Sequence, residues 1–213
     1  MTGRLKSLIK CSFLCLCLST VSTKAQILQD TNSLILIKKD IDYIYNFQFN
    51  NARDIQSKIS RLYPGHPIVF LLNGILTYWE NYPMLSTSYA RDSYEEDMHR
   101  CISLCENYKN SAYEAEYLLA NLCARGMLLM FYADNDLILE VIPLTTSTYQ
   151  YLRSSFDFSS ICTDLYYFTG AYNYYREAYP KTYPVYKPLA LLFPVGDMET
   201  LSLIHIFENN GKH

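Results

Sequence analysis

Apolar positions along this chain recur at the three- and four-residue spacing of one helix face, and no segment shows convincing two-residue alternation. The pattern predicts a helix over 34–45, a turn at Phe47–Asn51, and a second helix over 52–63 whose apolar stripe is Ala52, Ile55, Ile59 and Leu62. Pro64-Gly65-His66-Pro67 stops that helix, and His66 reads as a turn residue. A helix over 67–82 follows, then an irregular insertion around Pro83 to about Tyr89. The helix over 93–108 opens with Ser93 and Glu96 in capping-box spacing. The stretch 112–132 is apolar nearly all round, as expected of a helix buried between neighbours. Helices over 135–156, kinked near Pro143, and over 160–179 come next, and 184–207 holds one or two shorter pieces. With no low-complexity tract to divide it, the chain reads as one all-α domain.

The N-terminus adds a compartment. Arg4, Lys6 and Lys10 precede a short apolar run from Cys11 to Val21, and Thr23-Lys24-Ala25 supplies small residues at a cleavage site. The run is short for a bilayer span, so residues 1–25 are expected to be a signal peptide and 26–213 the folded domain. The leader holds four of the 18 basic residues and no acidic one. Its removal leaves 14 basic against 21 acidic residues, a formal charge of −7. Nucleic acid is therefore not an expected partner. Location in the periplasm, or at the periplasmic face of the outer membrane, follows from the leader as an expectation.

Candidate chemistry is thin. Four of the seven cysteines lie beyond the leader: Cys101, Cys105, Cys123 and Cys162. Export permits disulfides, and the pairing stays open between bridges and buried thiols, with Cys162 expected to be buried and unpaired. Glu96-x-x-His99 has a di-iron spacing without the second copy such a site needs, and His99-x-Cys101 is not a structural zinc spacing. There is no Gly-x-Ser-x-Gly elbow, no His-Glu-x-x-His and no phosphate-cradling glycine loop. No catalytic residue, no metal site and no cofactor is expected.

The Ala52 to Pro64 interval is twelve residues, as in a tetratricopeptide helix pair, and Tyr43 fills a third slot of that signature. Leu36, Lys39, Asp40 and Gln56 depart from it. One period of about 34 residues later, Phe70 takes the aromatic slot and Gly74 the glycine slot, where a small residue lets two helices of a hairpin approach. Further along, Gly170-Ala171-Tyr172-Asn173-Tyr174-Tyr175-Arg176-Glu177-Ala178-Tyr179-Pro180, then Tyr183-Pro184-Val185-Tyr186-Lys187-Pro188-Leu189 and Phe193-Pro194-Val195-Gly196-Asp197, resembles the C-terminal part of tetratricopeptide-like proteins exported by Bacteroidetes-type bacteria. More faintly, it is similar to a eukaryotic tetratricopeptide family of the mitochondrial outer membrane. The resemblance covers most of residues 30–207. It implies an α-solenoid and an exported, non-catalytic adaptor. The chain departs from it in lacking a glycine before Leu201.

Eight tyrosines fall between Tyr166 and Tyr186. Tyr gives a large contact area with a polar tip, so Tyr172, Tyr175, Tyr179 and Tyr183 are the candidate binding residues for a protein partner on a concave face. The alternative is a carbohydrate-binding component of an outer-membrane uptake system that uses the same rings as stacking platforms. Most of these tyrosines are expected to fill grooves between helices. The last apolar stretch, Leu201, Leu203, Ile204, Ile206 and Phe207, is expected to be an incomplete final repeat whose open face favours self-association.

Overall fold

The computed structural model describes residues 27, 30–158, 162, 164–191, 193 and 195. The expected leader and the apolar stretch 201–207 lie outside them. Among the described residues the chain is all-helical, without strands, and neighbouring helices pack on one another. Seven longer helices occur: α1 Thr31–Tyr45, α2 Phe49–Leu62, α3 Pro67–Glu80, α4 Arg91–Glu106, α5 Glu114–Asp134, α6 Ile138–Ser155 and α7 Leu165–Asn173. After α7 the chain passes through a π turn at Tyr174–Ala178 and short helical turns at Tyr179–Thr182, Pro184–Tyr186 and Lys187–Ala190.

Local chemistry explains most of the boundaries. Asp30 caps α1 by accepting from the Asn32 N–H at 3.1 Å, which starts the helix three residues before the apolar pattern does. His66 caps α3, with Nδ1 accepting from the Ile68 N–H at 3.1 Å and Pro67 at the first helical position. Gly65, at φ 74°, makes the turn that a side chain would resist. The expected capping box at Ser93 does not form. Helix α4 begins two residues earlier, and Ser88 Oγ accepts from the Ala90 N–H at 3.2 Å instead. Helix α6 runs through Pro143, and the carbonyl deprived of its partner there belongs to Leu139, which stands in solvent. The predicted helix 160–179 is replaced by the shorter α7 and its π turn, and Tyr186 folds back into the core beside Tyr132 and Val141.

Helix α1 packs on α2 and α3, α3 on α4 and α5, and α5 on α4 and α6. The core is accordingly a chain of neighbouring clusters. Ile27, Ile55, Ile59, Tyr63, Val69 and Leu72, with the partly buried Leu36, Ile37 and Ile41 of α1 against them, join α1, α2 and α3. A larger cluster around Tyr78, Tyr94, Met98, Leu128 and Phe131 joins α3, α4 and α5. Leu118, Leu122, Leu152, Cys162 and Leu165 join α5 to α6 and α7. Of the predicted α2 stripe, Ala52, Ile55 and Ile59 are buried while Leu62 is exposed. The helix ends at Leu62, so the period no longer governs. Tyr63 turns inward in its place, its hydroxyl donating to Asp30 Oδ2 at 2.8 Å.

At Gly74 α3 and α4 approach closely, since a Cβ there would lie 2.6 Å from Met98 Cε and within 3.4 Å of Sδ and Cγ. Met98 is fully buried, so its terminal methyl would have to shift among packed neighbours. Alanine at 74 gains about 1 kcal/mol of helix propensity but incurs an overpacking cost of about 1–3 kcal/mol. We expect Gly74→Ala to lose about 1 kcal/mol, read as a lower urea midpoint at unchanged slope; a gain in stability would show that Met98 repacks freely.

Candidate functional site

Helix α5, apolar nearly all round, is covered by α3 and α4 on one side and by α6 and the C-terminal turns on the other. Between α5, α6, α7 and those turns lies a cavity of about 330 Å³. Leu129 and Met130 of α5, Val141 and Leu152 of α6, and Phe168 of α7 supply its apolar walls. A cavity of this size with mostly apolar walls and a few polar groups has the character of a ligand site.

Two of the four candidate tyrosines meet here. Tyr172 lines the cavity with its ring centroid 5.4 Å from that of Tyr149, which in turn lies 5.4 Å from Phe193. Burial pushes the Tyr172 hydroxyl up to about 12. Tyr183 lines the same cavity and is half exposed. The side chains of Tyr175 and Tyr179 lie outside the described ones. Tyr167 and Tyr174 are exposed nearby in the chain, whereas Tyr186 is buried in the wall. The tyrosine run thus divides into wall and surface, as adjacent positions on a helix must.

Two charged residues, Arg176 and Asp134, line the cavity. Arg176 donates from Nε to the Phe193 carbonyl at 3.0 Å and pairs with Glu177 at 3.3 Å. Asp134 is exposed and accepts from the Tyr78 hydroxyl at 3.4 Å. Gly126, in the middle of the 21-residue α5, is exposed and also lines the cavity, and among the described residues nothing beyond the helix's own backbone lies within 4 Å of a Cβ built on it.

Other polar clusters are structural. The buried Arg125 donates to Asn121 Oδ1 at 2.7 Å and Ser147 Oγ at 2.8 Å, lies 3.6 Å from Glu106, and covers the Tyr151 ring at 4.4 Å. Its donors are committed within the protein. His66, read from sequence as a turn residue, is buried, with Nε2 3.2 Å from Glu116 Oε1. The same Glu116 oxygen accepts from the Ile27 N–H at 3.1 Å, tying the start of the described chain to α5. Neither role could be read from sequence, because the partners lie 50 and 89 residues apart.

Glu96 and His99 stand on an exposed face of α4, and among the described residues no three potential metal ligands come together. His205 lies outside the described residues. Cys101, Cys105 and Cys162 are buried, Cys123 is half-buried, and all four thiols are free. The Cys105 contact and burial hold the Cys101 thiol well above its ordinary range, and burial raises Cys123 and Cys162. We expect iodoacetamide at pH 8 to leave Cys101 and Cys162 unmodified in the native protein and to label both after denaturation. Ready native labelling of either, mapped by mass, would contradict this burial.

A second aromatic surface is assembled from positions far apart in the sequence. Trp79 on α3 lies 5.2 Å from both Tyr45 and Tyr82, and Tyr45, Phe47 and Tyr82 are all more than half exposed. Phe47 holds φ 58°, a conformation that a bulky residue adopts at a cost. No described helix is long and apolar enough to cross a membrane. Set against protein-family models, curated proteins and solved structures, the chain matches none.

Proposed function

We propose that the protein is an exported, non-catalytic scaffold of tetratricopeptide-like helix pairs that holds a protein partner on its tyrosine-bearing C-terminal quarter. One observation carries the reading: Tyr172 and Tyr183, distant in register, converge on one cavity whose neighbourhood also exposes Tyr167 and Tyr174. Rigid aromatic side chains with polar tips are the usual anchors of protein interfaces. The solenoid reading is supported by the packing order, in which α1 and α3 each contact their pair mate and the next odd helix, and α5 contacts its pair mate α6. Stacked helix hairpins pack in this way, each unit burying its face on the following one. Export to the periplasm or the outer-membrane face rests on the leader-like sequence of residues 1–25.

The test is a comparison of captures from periplasmic extract by the wild type and by a Tyr174→Ala/Tyr183→Ala variant of unchanged helical content. A partner retained by the first and lost by the second is expected. Equal recovery by both counts against the tyrosine surface.

A glycan-binding role is the second reading, and the Tyr45–Trp79–Tyr82 surface favours it, since exposed aromatic faces stack on sugar rings. A glycan array in which binding falls with Tyr82→Ala and is indifferent to Tyr183→Ala would select this reading.

A further inference from the structure

We propose that the apolar stretch Leu201, Leu203, Ile204, Ile206 and Phe207 of this same chain seats in the cavity between α5, α6 and the C-terminal turns, as the next helix of the stack. The open face expected of that stretch is then closed within the chain. The inference goes beyond the proposed function and holds whether or not the exposed tyrosines carry a partner.

The walls have the form of a helix seat. Leu122, Gly126, Leu129 and Ala133, spaced four, three and four apart, bring one face of α5 to the cavity over about 16 Å. Val141, Thr145, Thr148 and Leu152 repeat that spacing on α6, which the short loop 135–137 joins to α5. Two such stripes on neighbouring helices enclose a groove into which the ridge of a third can pack. Earlier in the stack α3 packs on α1 and α5 on α3, whereas among the described residues no later helix packs along α5 in that way. The groove is where the next helix of a stack belongs.

Where the chain leads names the occupant. Phe193 is part of the cavity wall, its ring 5.4 Å from that of Tyr149 and its carbonyl held by Arg176 Nε at 3.0 Å. Leu201 follows eight residues later, a reach of up to about 27 Å, so the stretch begins within range of the whole groove. The chemistry agrees. Residues 201–207 contain no Asp, Glu, Lys or Arg. On the groove side, the Thr145 and Thr148 hydroxyls donate to carbonyls of their own helix at 2.7 and 2.6 Å, Arg176 pairs with Glu177, and the exposed Asp134 accepts from Tyr78. The volume agrees as well. Because about 150 Å³ holds a benzene ring, about 330 Å³ takes roughly two side chains of Leu or Phe size. Leu203 and Phe207, four residues apart, supply two on one helix face.

The test labels the seat in the full chain. Gly126 lines the groove and is exposed among the described residues, so the thiol of a Gly126→Cys variant meets iodoacetamide unless another segment covers it. That thiol, mapped by mass, is expected to react about tenfold more slowly in Gly126→Cys than in Gly126→Cys/Phe207→Asp, both of wild-type helical content. Equal rates in the two chains overturn the proposal. Slow labelling that sets in only as protein concentration rises assigns the groove to a second copy and overturns the seat within one chain. Hydrogen exchange of the unsubstituted protein decides the matter if a variant does not fold. Amides of residues 203–207 are expected to exchange about a hundredfold more slowly than in unfolded chain, at a concentration where light scattering shows monomer. Exchange at the unfolded rate overturns the seat.

Discussion

Replacing Phe131 with alanine is expected to cost about 3–5 kcal/mol of stability, the range for removing a fully buried aromatic ring. Phe131 has no exposed surface and sits where α5 meets α4, edge-on to Tyr94 at 5.3 Å and 5.6 Å from Tyr132. The Arg91 guanidinium lies 6.0 Å from the ring. Collapse cannot readily close the gap, because Tyr94 is itself fully buried and Leu128 packs one turn away. Urea unfolding followed by circular dichroism should show a large fall in midpoint with little change in slope. A loss under about 1 kcal/mol would mean that the site relaxes almost completely.

The second large effect concerns a charge. Asp40 of α1 is fully buried against α2 and α3, where Gln56 Nε2 donates both to its Oδ2 and to the Leu72 carbonyl, each at 3.0 Å. Its other oxygen has no hydrogen-bond partner. Burial pushes the carboxyl up to about 6, against 3.8 ordinarily, despite the opposing Gln56 bond. Between those values the folded chain binds the proton more tightly than the unfolded chain does. This contribution is therefore most favourable below about pH 4, declines as pH rises towards 6, and stays low above that. A gap of roughly two pH units corresponds to about 3 kcal/mol.

Asp97, also raised to about 6 by burial, adds a slope of the same sign, so the wild-type profile alone does not isolate Asp40. Asp40→Asn does, because it keeps an acceptor for Gln56 and removes the charge. It is expected to gain about 1–3 kcal/mol at pH 7 and close to nothing at pH 4. Equal effects at the two pH values would show that the Asp40 carboxyl titrates alike in the folded and the unfolded chain, so that burial does not raise it.

Asp40 and Gln56 also show where the tetratricopeptide pattern fails to describe this chain. Both depart from that signature, and the structure joins them as a buried bridge that reaches the backbone of α3. At Gly74 α3 and α4 do come close, with Met98 filling the space over it. Of the candidate tyrosines, Tyr172 and Tyr183 share the cavity. The sequence offered no signal for Gly126 or Tyr149, since a lone glycine and a lone tyrosine inside helices are common. The Trp79 surface is illegible in the sequence for a related reason: Tyr45, Trp79 and Tyr82 come from two helices and a loop, dispersed among 21 tyrosines and 10 phenylalanines.

What the sequence alone determined is local. Helical periodicity, the stop at Pro64-Gly65 and the all-round apolarity of α5 depend on residues within a few turns, where spacing and backbone preference decide the outcome. The tertiary structure decided what depends on distant partners: the inward turn of Tyr63 to Asp30, the burial of His66 beside Glu116, and the return of Tyr186 to the core. It also decided that α7 gives way to a π turn. A side chain's burial is fixed by whatever element comes to cover it, and in stacked helices that element lies a helix or more away along the chain.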